Sequence, residues 1–502
     1  MTQESLPASA LPETLPPLAI GWAEVDITPA SQPVAIAGQF PARLSEGVLD
    51  PLKATACALE QGGEQVVFVA CDLVSISDEL RTMTRERLAQ GSAGPDPLKV
   101  VFNATHTHTG PECRLPGASA GHTSAGGSGV DIGERSVKEY LEFASGQLAA
   151  CVEKAWAGRA PGGAAFGLDD AVVGRNRRWV DADGVSTMYR LNAPASERFR
   201  HIEGYEDHSL NLLATYDEGG RLRGLIVNLP SPSQEQGSLF SLSADFWYEA
   251  RAELRRRFGE GLFILPQVSA AGELTSHALY EKAARQRMLR LRGVSERQEI
   301  ANRIADGVGR ILPHLEAVIE RNPLLRHRVD SIALPLNRLS EADVADARQA
   351  AEELRLTFEE EVAKLEANPE LKKEPRWYVP ATAAYRRMSW YLGVAARAEL
   401  QKTAPFKKEE VHFLRLGDIA FASNPFEYYL DYGVQIKVRS PALQTFLIQL
   451  AGQGTYLPSP RSVAGGGYGS VPASNPHGPE AGQILADATV NALRELWGCA
   501  GS

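Results

Sequence analysis

The segment VVFNATHTHTGPE, residues 100–112, is the most informative part of the sequence, because an apolar strand ends there in a glycine turn. It places His106 and His108 two positions apart, and side chains at i and i+2 of a strand point to the same side. Two imidazoles aimed at one point, among small neighbours, suit a divalent metal or the charge of a hydrolytic transition state. A pair of surface histidines at a strand end is the alternative interpretation, and later segments decide between the two.

Composition and charge exclude several classes of protein. With 502 residues, of which 44% are hydrophobic, the chain can bury a large core and form one large or two medium domains. A net charge of -10, without a dense lysine and arginine run, argues against nucleic-acid partners. Neither a run of transmembrane length nor a secretory-signal pattern is present, which predicts a cytoplasmic protein without an integral membrane segment. Five scattered cysteines without CxxC spacing indicate neither a disulfide framework nor a thiolate zinc site.

The chain is predicted to consist of a short tail and one catalytic domain. Residues 1–17, rich in proline, serine and glutamate, predict a flexible N-terminal tail, and residues 18–502 form the domain. Between 19 and 268, short apolar runs alternate with helical patterns, which is typical of a layered α/β fold. The charged helical pattern at about 340–402 predicts a solvated helical hairpin inserted into the domain. The glycine-rich run 117–129 fits either a lid or a plain disordered loop.

Periodicity places the individual elements. Strands are predicted at 65–71, 99–103, 210–216, 224–229, 262–268 and 411–422. Helices are predicted at 137–157, 245–258 and 480–497. Because catalytic loops of α/β domains follow strand ends, polar side chains at these ends are the candidates for a functional site.

Polar side chains recur at several such turns. In GRNRRW, residues 174–179, Arg177 can clamp a carboxylate or a hydroxyl-bearing substrate, with surface ion pairing as the alternative. Asp245 precedes a helical pattern and has an N-cap role available without catalysis. Glu427 lies on a turn after an apolar strand, and Tyr456 lies in a stretch rich in glycine and proline. The turn GELTSH, residues 272–277, adds Glu273, Thr275, Ser276 and His277.

Taken in this order, these segments resemble the catalytic domain of the neutral ceramidase family, metal-dependent amidases that release a fatty acid from an N-acylated sphingoid base. GWAEVDITP and DPLKATACAL resemble the first strands of that family, and ATHTHTGP is close to its ATHTHSGP. The resemblance runs from about Gly21 through GDIAFASNPFEYYLDYGVQIK to the closing GTYLPSP. It implies a layered mixed sheet, and the family's immunoglobulin-like C-terminal domain and secretion signal are expected to be missing.

The resemblance assigns roles position by position. It makes His106 a zinc ligand and His108 a group that contacts the substrate or the attacking oxygen. Arg177 becomes a substrate-binding arginine. Glu427 becomes a zinc-ligating carboxylate, and Tyr456 a phenol bound to the metal or beside it, with a catalytic role.

The nucleophile turn is only similar to that of the family. The family's serine lies in a GDVSPN-like turn, which places Thr275 at the serine position and Ser276 beside it. A threonine hydroxyl can attack, so Thr275 is the candidate nucleophile, with Glu273 as a further catalytic group. Asp245, Ser276 and His277 are expected to bind substrate.

The main departure lies at 225–234. The family has a zinc-ligating histidine there, whereas this chain reads LIVNLPSPSQ. The prolines at 230 and 232 predict a bulged loop that presents Ser231 or Gln234 to the cleft. Amide oxygens are weak zinc ligands, so three outcomes are open: a rebuilt zinc site, a harder ion on oxygen ligands, or no metal.

Three hypotheses for function follow. The first is a metal-dependent hydrolase, with zinc or another divalent ion, that cleaves an amide or related bond in a small, polar N-acyl or sugar-like substrate. The second is a carbohydrate-active enzyme that uses Glu273, Glu427 and Asp245 for acid/base chemistry on the same scaffold. The third is a non-catalytic binding protein with a degenerate metal site. A small molecule is the expected partner in each case, and homo-oligomerisation is left open.

Overall fold

The computed structural model describes residues 15–91, 94–115, 129–189, 191 and 195–499. The glycine-rich run predicted as a lid or disordered loop lies outside the described residues except for Gly129. Residues 1–14 of the predicted tail lie outside them as well. None of the described helices is both long and apolar enough to cross a membrane.

Strands outnumber helices in the first half of the described chain. In order they are β1 (Ala19–Asp26), β2 (Lys53–Gln61), β3 (Glu64–Cys71), β4 (Val100–Ala104), β5 (Ala160–Asp170), β6 (Arg175–Asn176), β7 (Arg178–Asp181), β8 (Ser186–Met188), β9 (Phe199–Ile202), β10 (Ser209–Asp217), β11 (Leu222–Leu229), β12 (Phe263–Val268), β13 (Leu274–Thr275), β14 (Leu325–Pro335), β15 (Phe406–Leu416), β16 (Ile419–Ser423), β17 (Glu427–Tyr428), β18 (Gln444–Ile448) and β19 (Tyr456–Leu457). The helices are α1 (Asp78–Gln90), α2 (Val137–Ala157), α3 (Ala195–Arg198), α4 (Phe246–Phe258), α5 (Lys282–Arg292), α6 (Glu296–Leu315), α7 (Glu341–Ala367), α8 (Val379–Thr403), α9 (Leu430–Arg439), α10 (Pro460–Gly465) and α11 (Pro479–Leu496).

Two sheets form the centre of the fold. The larger has eight strands in the order β12-β11-β10-β5-β1-β2-β3-β4, and the smaller has four in the order β14-β15-β16-β18. Most neighbours are antiparallel, but β3–β4, β11–β12 and β16–β18 run parallel. The fold is therefore a layered α/β fold with mixed sheets.

Strand alternation explains how the layers stack. Alternate residues of β2 point to opposite faces, so Ala54, Ala56 and Ala58 share a buried cluster with α2, while Cys57 and Leu59 face the smaller sheet. Alanine on the first face lets the helix approach closely. On the other face the sheets meet through large rings, with the centroids of Phe68 and Phe421 4.9 Å apart.

The parallel strand pairs decide where the loops meet. Backbone hydrogen bonds join the segments that follow β4, β11, β12 and β18: Ala104 N donates to Leu450 O, Ser269 N to Leu229 O, and Gln449 N to Val268 O. The turns that carry the candidate site residues therefore leave the two sheets at one common edge.

The charged segment near 340–402 forms the helix pair α7 and α8. Ser340 and Asp343 make a reciprocal capping box at the start of α7, and most of that helix is exposed. Its partner α8 lies against the loop before β2, where Thr382 Oγ1 accepts a hydrogen bond from Ala42 N at 3.1 Å. The pair thus reaches the same edge as the strand-end turns.

Candidate active site

The histidine turn follows the end of β4. His106 is a buried residue with φ 64°, a conformation that costs energy for a side chain other than glycine. Its Nδ1 lies 2.6 Å from Val74 O, so Nδ1 carries the proton and Nε2 offers a lone pair. His108 Nε2 lies 3.2 Å from His106 Nε2. The two imidazoles converge, but through this turn beyond the strand and not through strand alternation.

Glu427 and Tyr456 come from two short strands that lie side by side. In the parallel pairing of β17 with β19, Glu427 is opposite Tyr456. Glu427 Oε2 lies 3.4 Å from His106 Nε2. Gly272 permits the backbone of Glu427 to lie close to the turn at 272–277, since a Cβ on Gly272 would lie 2.5 Å from Glu427 O. Residues far apart in sequence therefore meet at one point.

Arg177 is the cation at the centre of the arrangement. It is buried; its Nη1 donates to Tyr189 Oη at 2.8 Å, and its Nη2 to Tyr456 Oη at 3.2 Å. Nη2 also lies 3.7 Å from Glu427 Oε2. Burial opposes the charge, but the two phenols and the carboxylate raise the pKa of Arg177 well above its ordinary value. The guanidinium is fully protonated.

Gln234 joins the guanidinium to an imidazole. Its Oε1 accepts hydrogen bonds from Arg177 Nη1 and Tyr189 Oη, each at 3.1 Å. Its Nε2 lies 2.8 Å from His108 Nε2, which makes that ring nitrogen the acceptor. Burial and the charges of nearby residues lower the pKa of His108 well below its usual range, in keeping with a neutral ring. Of the two side chains predicted to face the cleft, Ser231 is buried and Gln234 faces it.

These groups line a cavity of about 690 Å³. The sequence-predicted residues that it brings together are His106, His108, Arg177, His277, Glu427 and Tyr456. Gln234 lines it as predicted for the bulged loop, and Tyr189 and Glu235 also line it but received no site role from the sequence. A second cavity of about 340 Å³ shares Arg177, Tyr189, Glu235 and His277 as a common wall.

Thr275 lies in the smaller cavity and not among the residues that line the larger one. Its Oγ1 lies 3.2 Å from Tyr189 Oη and accepts from His277 N at 3.4 Å. Within the described chain no imidazole or carboxylate lies within hydrogen-bond distance of this hydroxyl. Ser276 Oγ donates instead to Glu235 Oε2 at 3.0 Å.

His277 pairs with the same glutamate. Its Nδ1 lies 3.5 Å from Glu235 Oε1, on the wall that the two cavities share. Burial disfavours the charged ring, but the Glu235 carboxylate outweighs this and raises the pKa of His277. This residue therefore places a second, titratable positive charge near Arg177.

Glu273 and Asp245 occupy structural positions. Both oxygens of Glu273 accept from Leu430 N at the start of α9, at 3.0 and 3.1 Å, and burial raises the pKa of this carboxyl to about 8. Asp245 is the N-cap of α4, and its other oxygen accepts from Gln236 N at 2.7 Å. Burial raises the pKa of Asp245 to about 6. Among the described residues that line the two cavities, neither carboxylate is present.

Glu273 should make stability depend on pH. An acid with a raised pKa in the folded state makes the folded protein bind more protons than the unfolded one, so stability falls as pH rises from about 4.5 to about 8. Glu273→Gln keeps the shape without the charge. We expect it to raise the free energy of unfolding at pH 8.5 by on the order of 2 kcal/mol, and to change it little at pH 4. Urea unfolding of both proteins at the two pH values measures this, with the exposed Glu218→Gln as control. An equal effect at both pH values would contradict it.

The zinc site implied by the sequence resemblance requires three protein ligands beside an open position. No three histidine, cysteine, aspartate or glutamate side chains within the described ranges are grouped to hold an ion. The lone pair of His108 Nε2 accepts a hydrogen bond from Gln234 and is therefore not free for a metal. Strand β11 lies in the segment where the resembling family has a zinc-ligating histidine, and here it ends at Leu229, which is buried. His106 Nε2 and Glu427 Oε2 remain as donors, with the phenol of Tyr456 tied to Arg177. The residues present do not fit that zinc site.

Metal binding should therefore respond to residue 234. We expect the native protein to bind less than one equivalent of zinc, and Gln234→His to gain at least tenfold in zinc affinity by adding an imidazole where the cavity can receive it. Calorimetric titration with zinc and elemental analysis measure both. His106→Ala in the Gln234→His background is the control and should remove the gain. Stoichiometric zinc in the native protein, held as tightly as in the variant, would contradict the expectation.

Comparison with known proteins supports the fold. No family model matches the sequence, and no curated protein matches it significantly. Among solved structures, the neutral ceramidase from Pseudomonas aeruginosa is similar with a TM-score of 0.64 at 17% identity, over 96% of this chain and 75% of that chain. A ceramidase complexed with C2 gives a TM-score of 0.64 at 16% identity, over 96% and 76% of the two chains. The chain has a neutral-ceramidase-like fold, as predicted from its sequence.

Proposed function

We propose that this chain is a hydrolase that cleaves an amide or related bond of a small, polar N-acyl substrate in the larger cavity. The fold shared with ceramidases supports a hydrolase. The observation that carries the proposal is the position of Glu427 Oε2, 3.4 Å from His106 Nε2 and 3.7 Å from Arg177 Nη2. A base, a carboxylate and a fixed cation at one wall can together catalyse acyl hydrolysis, by accepting a proton and by stabilising the charge that develops.

The nucleophile in this proposal is water. Two acceptors face the same space, because the free Nε2 lone pair of His106 lies 3.4 Å from Glu427 Oε2, while the Nε2 lone pair of His108 is taken up by Gln234. Acceptors without a donor between them repel one another, so a bound water that donates to them is favoured there. A water bound in this way lies next to His106, the base that takes its proton.

The reaction then proceeds through proton transfer at His106. The water oxygen attacks the acyl carbon while its proton passes to His106 Nε2, and the nearby Glu427 carboxylate stabilises the imidazolium that forms. Tyr456 accepts from Arg177 and keeps its own hydrogen to donate to the carbonyl oxygen as negative charge develops. The imidazolium returns the proton to the leaving nitrogen as the C–N bond breaks, which yields a carboxylic acid and an amine. No step of this chemistry requires the zinc that the sequence resemblance predicts.

Thr275 tests the choice of nucleophile. Because its hydroxyl has no basic partner in the described part of the chain, we expect Thr275→Ala to retain kcat/KM within about tenfold of the native value. The kinetics of purified Thr275→Ala and Ser276→Ala measure this, and the double variant excludes substitution of one hydroxyl by its neighbour. A loss of 10³-fold or more in Thr275→Ala would assign the attack to Thr275 instead.

The function itself is tested with a panel of substrates. N-acetylated amines, N-acetylated amino sugars, a short-chain ceramide and aryl glycosides are incubated with the native protein, and products are identified by mass spectrometry. The proposal expects equimolar acid and amine from one or more N-acyl compounds. Release of sugar from the glycosides without any amide cleavage would favour the carbohydrate-active alternative, although Glu273 and Asp245, two carboxylates it relies on, lie away from the cavity.

A further inference from the structure

Helix α8 forms one side of the cavity mouth. It contributes Arg387 and Trp390 to the lining. Two flanking loops are bound to it: Thr382 Oγ1 accepts from Ala42 N at 3.1 Å, and Arg397 Nη2 donates to Pro472 O at 2.8 Å. These loops carry Phe40 and Tyr468, which also line the cavity. The inserted helix pair therefore shapes the part of the cavity that lies away from Arg177.

The rings at the mouth form a continuous aromatic wall, made of Phe40, Trp390 and Tyr468. The centroids of Phe40 and Trp390 are 5.4 Å apart at 72°, and those of Trp390 and Tyr468 are 5.9 Å apart at 44°. Tyr468 continues the row inward, 5.5 Å from the ring of Tyr456 at 77°. These distances are those of packed aromatic pairs, which hold one another in place. The wall leads from the mouth to the phenol at the reaction site.

Polar groups surround the aromatic wall. The guanidinium carbon of Arg387 lies 5.3 Å from the centre of the Phe40 ring, and within the described ranges this side chain pairs with no carboxylate. Gln39, Ser238 and Ser474 also line the cavity. An alkyl chain of a lipid would cover these donors without satisfying them, which costs about 1–3 kcal/mol for each buried group. A ring with apolar faces and a hydroxyl rim satisfies both kinds of surface.

We infer that the aromatic wall of Phe40, Trp390 and Tyr468 is the subsite for the sugar ring of an N-acylated amino sugar. The C–H face of a pyranose ring packs on the aromatic side chains, and its hydroxyl groups meet Arg387 and the neighbouring polar side chains. The N-acyl group then extends along Tyr468 to Tyr456 and Arg177. The inference rests on the proposed function and names its substrate class.

Binding of N-acetylglucosamine tests the subsite without requiring turnover. Calorimetric titration of the full chain is expected to show saturable binding that Trp390→Ala weakens at least tenfold, whereas Trp390→Phe, which keeps a ring, stays within about threefold of the native affinity. Trp377→Ala is the matched control, because Trp377 lies in the turn just before α8 and packs on Tyr378 but does not line the cavity. Circular dichroism checks that each variant is folded.

N-acetylethanolamine, which has the acyl group but no ring, is the comparison ligand. Equal affinity for both compounds, no binding of the sugar, or an unchanged affinity in folded Trp390→Ala would overturn the subsite. Turnover separates this inference from the function on which it rests. Amide hydrolysis at the same rate in native protein and Trp390→Ala would support the proposed function and contradict the subsite. Trp390-dependent binding without hydrolysis of any N-acyl compound would support the subsite and contradict the function.

Discussion

Replacing Arg177 with methionine should lower kcat/KM by about 10³-fold or more. The side chain is the fixed cation of the cavity, and Tyr456 can stabilise a developing oxyanion only as strongly as the guanidinium polarises it. The substitution also leaves Gly272 O without its donor and Gln234 Oε1 with only the Tyr189 hydroxyl. Losing one such stabilising group in an active site costs roughly 10²–10³ in kcat, and here the loss of charge is added. Steady-state kinetics on the best N-acyl substrate measure it.

Two variants make this result interpretable. Arg177→Lys keeps the charge but cannot reproduce the planar fork that reaches four acceptors, so we expect only partial recovery. Arg461→Met removes an arginine that pairs with Asp431 at 2.8 Å and does not line either cavity, so its kinetics should match the native protein. If folded Arg177→Met kept its activity within tenfold, the cation would have no part in the reaction.

Much of the fold was predictable from periodicity. The helix expected at 137–157 is α2 (Val137–Ala157), and the strands expected at 224–229 and 262–268 are β11 and β12 to within two residues. The helix expected at 245–258 begins one residue later, because Asp245 is its cap and has φ 55°. These elements follow from local apolar patterns, which can be identified from the sequence alone.

The site was predictable only where it depends on strand ends. His106, Glu427 and Tyr456 were expected to converge because each follows a strand-like segment, and the parallel strand pairs do bring these turns to one edge. The histidine missing from 225–234 was also visible in the sequence. That the Gln234 amide would bind both Arg177 and His108 could not be predicted, because these two residues are far from Gln234 in the sequence.

Other positions could not be assigned from local patterns. Glu273 and Thr275 belong to one short turn, yet the carboxylate accepts a hydrogen bond at the start of α9 and the threonine lines the smaller cavity. Tyr189 lies in the site with a backbone φ of 61°, a conformation that no sequence motif predicts. The aromatic wall joins three segments that are distant in sequence, and only tertiary packing brings them together.

The proposal that one cavity hydrolyses an N-acyl bond through an imidazole and a carboxylate beside a fixed cation depends most directly on Glu427. Glu427→Gln keeps the volume of the side chain but removes the charge that stabilises the protonated His106. We expect kcat to fall by about 10²–10⁴-fold while KM changes little. Glu235→Gln is the matched control, because Glu235 lines the same cavity but pairs with His277, and it should lose less than about tenfold.

The direct measurement is the rate at which purified native protein, Glu427→Gln and Glu235→Gln release amine from the same N-acyl substrate, with folding checked by thermal unfolding. We expect Glu427→Gln to unfold at the native temperature but to have at most about one hundredth of the native rate, and Glu235→Gln to remain active. Release of amine at the native rate by folded Glu427→Gln would rule out the proposed mechanism.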